Sequence, residues 1–343
     1  MFTKILYIIV ISIIIFLVSG LFLPRDVHVE RAVVIARPAS TVYTLVNSFN
    51  TISAWSPWSE KDPATEYRFS GPDSGVGARV NWNGDPRQVG SGWLEITDTR
   101  PWSRVQMKLD YDQLGRASTY FDLAPAPTGT RLTWGFDADL VEGHGFLGGL
   151  LARYFGLFFD QWVGTDFEQG LARLKLLAEA LPDVDFSDLD VEMVEAEPME
   201  ILYVTIDGSQ KTGDVAVTLA AAYQEISAFM AEHSIEMFSQ PMAITRAWDG
   251  QDYQFSAAIP VVSTNFELTG NIRAGKAPAG RAVRVVHRGP YDRMAPSYEK
   301  LAAYMAVNGL KEGRVSWEHY ISDPGNTPAG EIVTHIYFLV DGQ

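Results

Sequence analysis

The side chains best placed to do chemistry lie near the end of the sequence, around Glu318. The run Ser316–Ile321 has the two-residue period of a strand, which puts Glu318 on the face of Ser316 and Tyr320. If this strand folds back onto Ile332–Val340 through a turn at residues 326–327, Glu318 stands opposite His335 and Tyr320 opposite Val333. Tyr337 then shares that face, so a carboxylate, an imidazole and two phenols converge on one apolar groove. Such a group suits a lipophilic cation, held by charge and by the faces of the rings. It also suits proton transfer, with a desolvated Glu318 as general base or acid and Tyr291 or Tyr320 as proton donor. The third reading is an exposed sheet residue that merely pairs with His335. Tyr291 lies in Arg288-Gly289-Pro290-Tyr291, where a strand hands over to a helix, and is either pocket lining or ordinary core. His287 reads as a histidine satisfied within the fold.

These residues belong to a duplicated unit. Tyr223-Gln224-Glu225-Ile226-Ser227-Ala228-Phe229-Met230 matches Tyr298-Glu299-Lys300-Leu301-Ala302-Ala303-Tyr304-Met305 at an offset of 75. Each helix follows a strand that ends in glycine, Gly208 or Gly289, and each precedes two further strands. The unit is βαββ, used twice. Neither copy covers its sheet alone, so the expected solution is a joint sheet with both helices on one face. The opposite face is then left to form a groove across the pseudo-twofold axis. At the offset of 75, Glu318 corresponds to Ala243 and Tyr320 to Thr245. A carboxylate present in one copy only is not required by the shared fold, and so points to a site.

Residues 27–181 are organised differently. A β-branched strand, Val29–Ala36, precedes a short helix after Pro38. Strict alternation follows in Val105–Tyr111 and again in Arg131–Asp137, with turn material between, which describes an antiparallel sheet with one wet face. From about Leu150 the period becomes helical, with Tyr154, Phe158, Trp162, Phe167, Leu171 and Leu174 recurring mostly at three or four. Trp55, Trp58, Trp82, Trp93 and Trp134 are the candidate lining of a large pocket, or ordinary core under the helix. Asp110, Asp122 and Asp137 alternate with apolar neighbours and read as solvated.

A strand, small helices, a curved antiparallel sheet and one long closing helix resemble the START-like, polyketide-cyclase (SRPBCC) helix-grip superfamily. The resemblance rests on Ala36-Arg37-Pro38-Ala39-Ser40-Thr41-Val42-Tyr43, on Trp55-Ser56-Pro57-Trp58 and on the closing helix. It implies a pocketed fold but no single activity, since the superfamily includes enzymes, carriers and sensors. The duplicated region resembles the GyrI-like effector-binding family, also found fused to AraC- and MerR-type regulators. The matching motifs are His287-Arg288-Gly289-Pro290-Tyr291, Trp317-Glu318-His319-Tyr320-Ile321-Ser322-Asp323-Pro324 and Ile332-Val333-Thr334-His335-Ile336-Tyr337-Phe338. Where that family commonly carries Thr-Glu and a later proline in its last strand, this sequence has Thr334-His335 and Leu339. No helix-turn-helix pattern precedes the domain. This second resemblance implies small-molecule binding. Some relatives resemble hydrolases of strained lipophilic electrophiles, and others act on protein partners, so a hydrolase and a protein-binding module stay open as alternatives.

Composition bounds the rest. The chain has 343 residues and a formal net charge of −15, which disfavours a nucleic-acid partner because phosphate binding needs a concentrated basic surface. The absence of cysteine excludes disulfides and thiolate chemistry, and six scattered histidines form no metal-ligand spacing. No phosphate-cradling glycine loop and no cofactor motif occurs. Ile5–Leu23 carries no charge and spans roughly 28 Å as a helix, close to the hydrocarbon thickness of a bilayer. It reads as an uncleaved anchor, with a cleaved signal peptide as the rival. Lys4 favours an inside N-terminus and an extracytoplasmic body, although Arg25 and Arg31 weaken that bias. Eight acidic residues and no basic one lie between Pro182 and Glu200, in the manner of a solvated linker. The expected plan is α+β throughout: anchor 1–26, helix-grip domain 27–181, acidic linker 182–197, effector-binding domain 198–343. The expected role is binding of a small hydrophobic or cationic ligand at a lipid bilayer, for sensing, sequestration or handover.

Overall fold

The computed structural model describes residues 2–111, 115–208, 212–248 and 253–340. The chain divides into two compact units, Met1–Ser187 and Asp188–Gln343. The first begins with helix α1 (Phe2–Leu21) and strand β1 (Asp26–Ile35), followed by short helices α2 (Ala39–Val46), α3 (Ile52–Trp55) and α4 (Pro57–Lys61). Six strands come next: β2 (Glu66–Ser70), β3 (Arg79–Asn83), β4 (Ser91–Arg100), β5 (Arg104–Tyr111), β6 (Gly115–Ala126) and β7 (Gly129–Asp139). Helix α5 (Phe146–Glu179) closes the unit. All neighbours in the sheet order β1-β7-β6-β5-β4-β3-β2 are antiparallel.

The alternation seen in the sequence decides which face is covered. On β5, Val105 and Met107 are buried and Lys108 is exposed, as a period of two requires. The long helix lies on the covered face, where Phe167 stacks on Trp134 with ring centroids 3.9 Å apart. Gly164 lets β1 reach the helix: the Arg31 guanidinium crosses it to bond Asp160 and Glu168, and a Cβ there would lie 2.1 Å from Arg31 Nη2. Arg37, from the motif that opens α2, holds the other end of α5. It donates to the carbonyls of Leu181 (2.8 Å) and Glu179, groups that no helical partner can satisfy. Arg37→Ala should therefore destabilise the first unit by about 1–3 kcal/mol in denaturant titrations. Arg37→Lys should recover only part of it, because an ammonium lacks the planar fork.

The second unit is the expected double βαββ, with one extra strand at each edge. Its elements are β8 (Val191–Ala196), β9 (Glu200–Gly208), α6 (Thr212–Glu232), β10 (Met242–Trp248), β11 (Tyr253–Pro260), β12 (Arg273–Lys276), β13 (Gly280–Arg288), α7 (Ala295–Val307), β14 (Glu312–Tyr320) and β15 (Val333–Val340). The sheet order β12-β9-β11-β10-β14-β15-β13-β8 is symmetric about the β10–β14 pair. At its centre Ala243 pairs with Glu318, the same two residues that the repeat makes equivalent.

Residues paired across antiparallel strands share a face. The row Ala257, Ala243, Glu318, Ile336, Val285 runs through five adjacent strands on one side of the sheet. Ala257 packs with Ile226 and Phe229 of α6, and Ile336 and Val285 pack with Leu301 and Met305 of α7. Both helices thus cover one face, and Glu318 lies on that face, at the seam between them.

Two expectations are corrected here. The acidic run is not a free linker along its whole length, because Val191–Ala196 pairs with β13 as an edge strand. Its charges suit an edge that must not recruit other strands, and Glu192 and Asp188 find Arg284 and Lys300. The final hairpin also differs in register by one residue. Glu318 faces Ile336, and His335 faces His319, because residues 321–332 hold a 3-10 turn at Ala329–Glu331 rather than a simple reversal. A slip of one residue moves every side chain to the opposite face.

Candidate functional site

The register decides which predicted residues meet Glu318. Tyr320 does: its phenol donates to Glu318 Oε2 at 2.7 Å. His335 and Tyr337 do not. They lie on the other side of the sheet, where Tyr337 stacks on Trp317 at 4.6 Å and packs against a buried cluster that includes Met242, Ile244 and Ala258. The groove of the sequence reading is therefore replaced by a seam on the helix face, and His335 is not the partner of Glu318.

Two residues that the sequence reading left unassigned complete the cluster. Tyr298, on the first turns of α7, donates to Glu318 Oε1 at 2.6 Å. Tyr223, on α6, sets its ring edge-on to Tyr320 at 6.4 Å and donates to the carbonyl of Met242. Tyr291 also packs edge-on against Tyr320 at 5.2 Å and is 36% exposed, so it stands at the rim. Burial raises the pKa of all four phenols, and the nearby Glu318 carboxylate raises it further. They are therefore protonated donors around one acidic group. Tyr223 and Tyr298 occupy equivalent positions of the repeat. That coincidence was the available signal, since two helices that share a tyrosine at the same place aim it at the same axis.

The adjoining row of the helix face is Tyr320, Thr334, His287. His287 is buried, with Nδ1 2.9 Å from Ser297 Oγ, so the satisfied reading holds for that nitrogen. Its Nε2 and Thr334 Oγ1 find no partner among the described residues. A seat for polar ligand atoms beside the carboxylate would use these two groups.

On the opposite face, His319 and His335 are direct cross-strand partners. Burial lowers the pKa of both, and for His335 the nearby Arg284, His319 and Arg288 lower it further. In the unfolded chain both imidazoles take up protons first as pH falls. The contribution they make to stability is thus complete above about pH 6.5 and is withdrawn below it. Melting temperature should fall between pH 7 and pH 5, and His335→Gln with His319→Gln should flatten that slope.

The first unit contains a cavity of about 490 Å³ between its sheet and α5. Trp58, Trp82 and Trp134 line it, as the sequence reading allowed. Trp55 does not: it is core, packed edge-on against Phe121 and Trp134 at 5.9 and 5.5 Å. Trp93 also does not, because Gly92 and Leu94 take the inner positions of β4 and leave Trp93 on the outer face, under the Arg79 guanidinium at 4.1 Å. Leu109, Leu151, Phe155, Phe159 and Trp162 supply wall that was not anticipated.

Three hydroxyl-bearing side chains in this wall are already engaged. Tyr111 donates to the Val89 carbonyl at 2.6 Å, and burial raises its pKa. Thr119 donates to the Gly135 carbonyl and accepts from the Trp134 indole. Tyr67 shares a hydrogen bond with Ser59. Most of what remains toward the cavity is hydrocarbon and ring surface, the chemistry of a pocket for an alkyl or polycyclic body.

Residues 26–179 match the family described as polyketide cyclase / dehydrase and lipid transport. Residues 189–341 match the GyrI-like small molecule binding domain. No curated protein matches. Among solved structures, a protein from Chromobacterium violaceum is 18% identical over 47% of this chain and 100% of its own, with a TM-score of 0.33. EcmrR in complex with DNA is 18% identical, covering 56% of this chain and 71% of that one, with a TM-score of 0.40. A hydrolase from Listeria innocua is 15% identical over 44% of this chain and 91% of its own, with a TM-score of 0.32. The chain thus joins a domain of the polyketide cyclase / dehydrase and lipid transport family to a GyrI-like small molecule binding domain, in that order.

Proposed function

We propose that this protein is a membrane-anchored binding protein that takes up a lipophilic small molecule in its first domain, for sensing, sequestration or handover. The observation that carries the reading is the 490 Å³ cavity, walled mainly by aromatic and aliphatic side chains, with the Tyr111 and Thr119 hydroxyls turned back to backbone carbonyls. A molecule held there gains by leaving water, at about 0.8 kcal/mol for each methylene buried. The anchor is α1, whose Lys4–Leu21 window has a mean hydropathy of 2.6 and is long enough to cross a bilayer. Lys4 supports an inside N-terminus.

The Glu318 cluster supports a second binding place, for a cation with an apolar body. A carboxylate already tied by two phenolic donors is preorganised to attract positive charge, and ring faces nearby add cation–π attraction. Both carboxylate oxygens of Glu318 already accept a phenol hydrogen bond, a geometry that favours a binding role over hydrolysis. The direct test is native mass spectrometry of the full chain released from mild detergent, followed by solvent extraction. The expected result is a co-purifying lipophile that fluorescent alkyl or polycyclic probes displace. A chain that is empty and takes up none of these probes would sink the reading.

A further inference from the structure

We infer that the first half of α5 is a second membrane contact, and that the mouth of the cavity opens into the bilayer rather than into water. The proposal rests on the reading that α1 lies in a membrane. Its occupant is the lipid bilayer that surrounds that helix.

Between Phe146 and Phe159 helix α5 carries one charged residue, Arg153. Phe146, Leu147, Leu151, Phe155, Phe158 and Trp162 are all exposed, and from Leu147 onward they recur at intervals of four, four, three and four. That spacing makes one stripe along the helix. Such a face is not tolerable in water for a folded domain unless something covers it.

The structure shows where this face sits. Phe16 of α1 stacks on Tyr154 of α5, with ring centroids 4.1 Å apart and planes 8° from parallel. The Tyr154 hydroxyl also lies 2.6 Å from Ser19 Oγ. Gly20 meets Leu150 so closely that a Cβ would come within 2.9 Å of it. Arg153 is not a free charge, because it donates to the carbonyls of Leu21 and Leu23 and caps the end of α1. Arg25, just beyond, is likewise held by Asp139. Phe16 precedes the end of α1 by five residues, about 7 Å along a helix. If α1 spans the bilayer, Tyr154 is therefore carried about as deep as interfacial helices bury their apolar face. Charge returns to α5 at Asp160 and Glu168, both bound by Arg31, where the helix leaves this layer.

The link to the cavity is direct. Leu151, Phe155 and Trp162 belong to the exposed stripe, being 48, 60 and 54% exposed, and they also line the cavity. They form its lip. A lipophilic molecule would then pass between acyl chains and the cavity past these three side chains, without crossing water.

The chain has no cysteine, so single-site labelling is clean. Full-length Leu147→Cys and Phe158→Cys, each carrying a polarity-sensitive fluorophore, would be placed in phosphatidylcholine vesicles with and without spin-labelled lipids. Ile9→Cys serves as the reference for α1, and Lys108→Cys as the aqueous reference. The expected result is blue-shifted emission at 147 and 158, quenched by spin labels near the headgroups, with no quenching at 108. Quenching at Ile9 alone would overturn the inference and leave the anchor intact. No quenching at Ile9, 147 or 158 would overturn the anchor reading, and this inference with it. Labels at 147 and 158 that are shielded from water, unquenched by lipid and crosslinked between copies would assign the face to a second copy of this chain instead.

Discussion

Full-length protein carrying Ala117→Trp should retain its melting transition and lose its lipophilic ligand. Ala117 lies on β6 opposite Leu109, and both line the cavity. An indole added there occupies space that the ligand would fill, and it displaces no hydrogen-bonded group. If it excludes four methylenes of ligand, the loss is about 3 kcal/mol, on the order of a hundredfold in affinity. Probe displacement and extraction of bound lipophile read this directly, and a melting curve shows whether the fold survives. A tryptophan variant that still binds with unchanged affinity would mean that the ligand lies elsewhere, and the cavity reading would fall.

The second large effect is expected at Glu318, where three variants separate charge from structure. Glu318→Gln keeps the shape and an acceptor for at least one phenol, so stability should be nearly unchanged. Binding of a hydrophobic cation should weaken by about ten- to a hundredfold, the range for a hydrogen-bonded or paired charge in a partly buried place. Glu318→Ala removes both acceptors and leaves the buried hydroxyls of Tyr298 and Tyr320 unsatisfied, at about 1–3 kcal/mol of stability. Tyr298→Phe should reduce cation affinity modestly and remove one donor, with the ring face kept. Isothermal titration with an aromatic or alkyl quaternary ammonium measures these, beside denaturant titrations. Unchanged cation binding in Glu318→Gln would reduce the cluster to a structural network.

Much of the architecture was legible because it repeats or alternates. The match of Tyr223–Met230 with Tyr298–Met305 foretold the symmetric sheet, and Val105–Tyr111 foretold a sheet with one covered face. The site was less legible because faces depend on register. One extra residue of displacement in the loop before β15 sent His335 and Tyr337 to the side opposite Glu318. Trp93 failed in the same way, since an indole on a strand reads as lining until its neighbours show which side is inner. The acidic run was misjudged because charge density hid the apolar residues Val191, Met193 and Val194 within it, sufficient for an edge strand. The helical period from about Leu150 gave the closing helix but not the exposure of Leu151, Phe155, Phe158 and Trp162. A helical period alone does not tell a covered face from an exposed one, and that depends on what packs against it.

The pairing of Ala243 with Glu318 bears on how many ligands a site on this axis could seat. These residues are equivalent by repeat and adjacent in space, so the half-sites of the two copies overlap on the axis instead of lying apart. Duplication has doubled the scaffold while keeping a carboxylate in one copy only. A ligand held at Glu318 has one place per domain, whichever copy supplies the charge. A carboxylate in both copies would set two like charges on directly opposed residues about 5 Å apart, a pairing that raises the proton affinity of each and favours a doubly charged guest. An alanine facing a glutamate avoids that conflict.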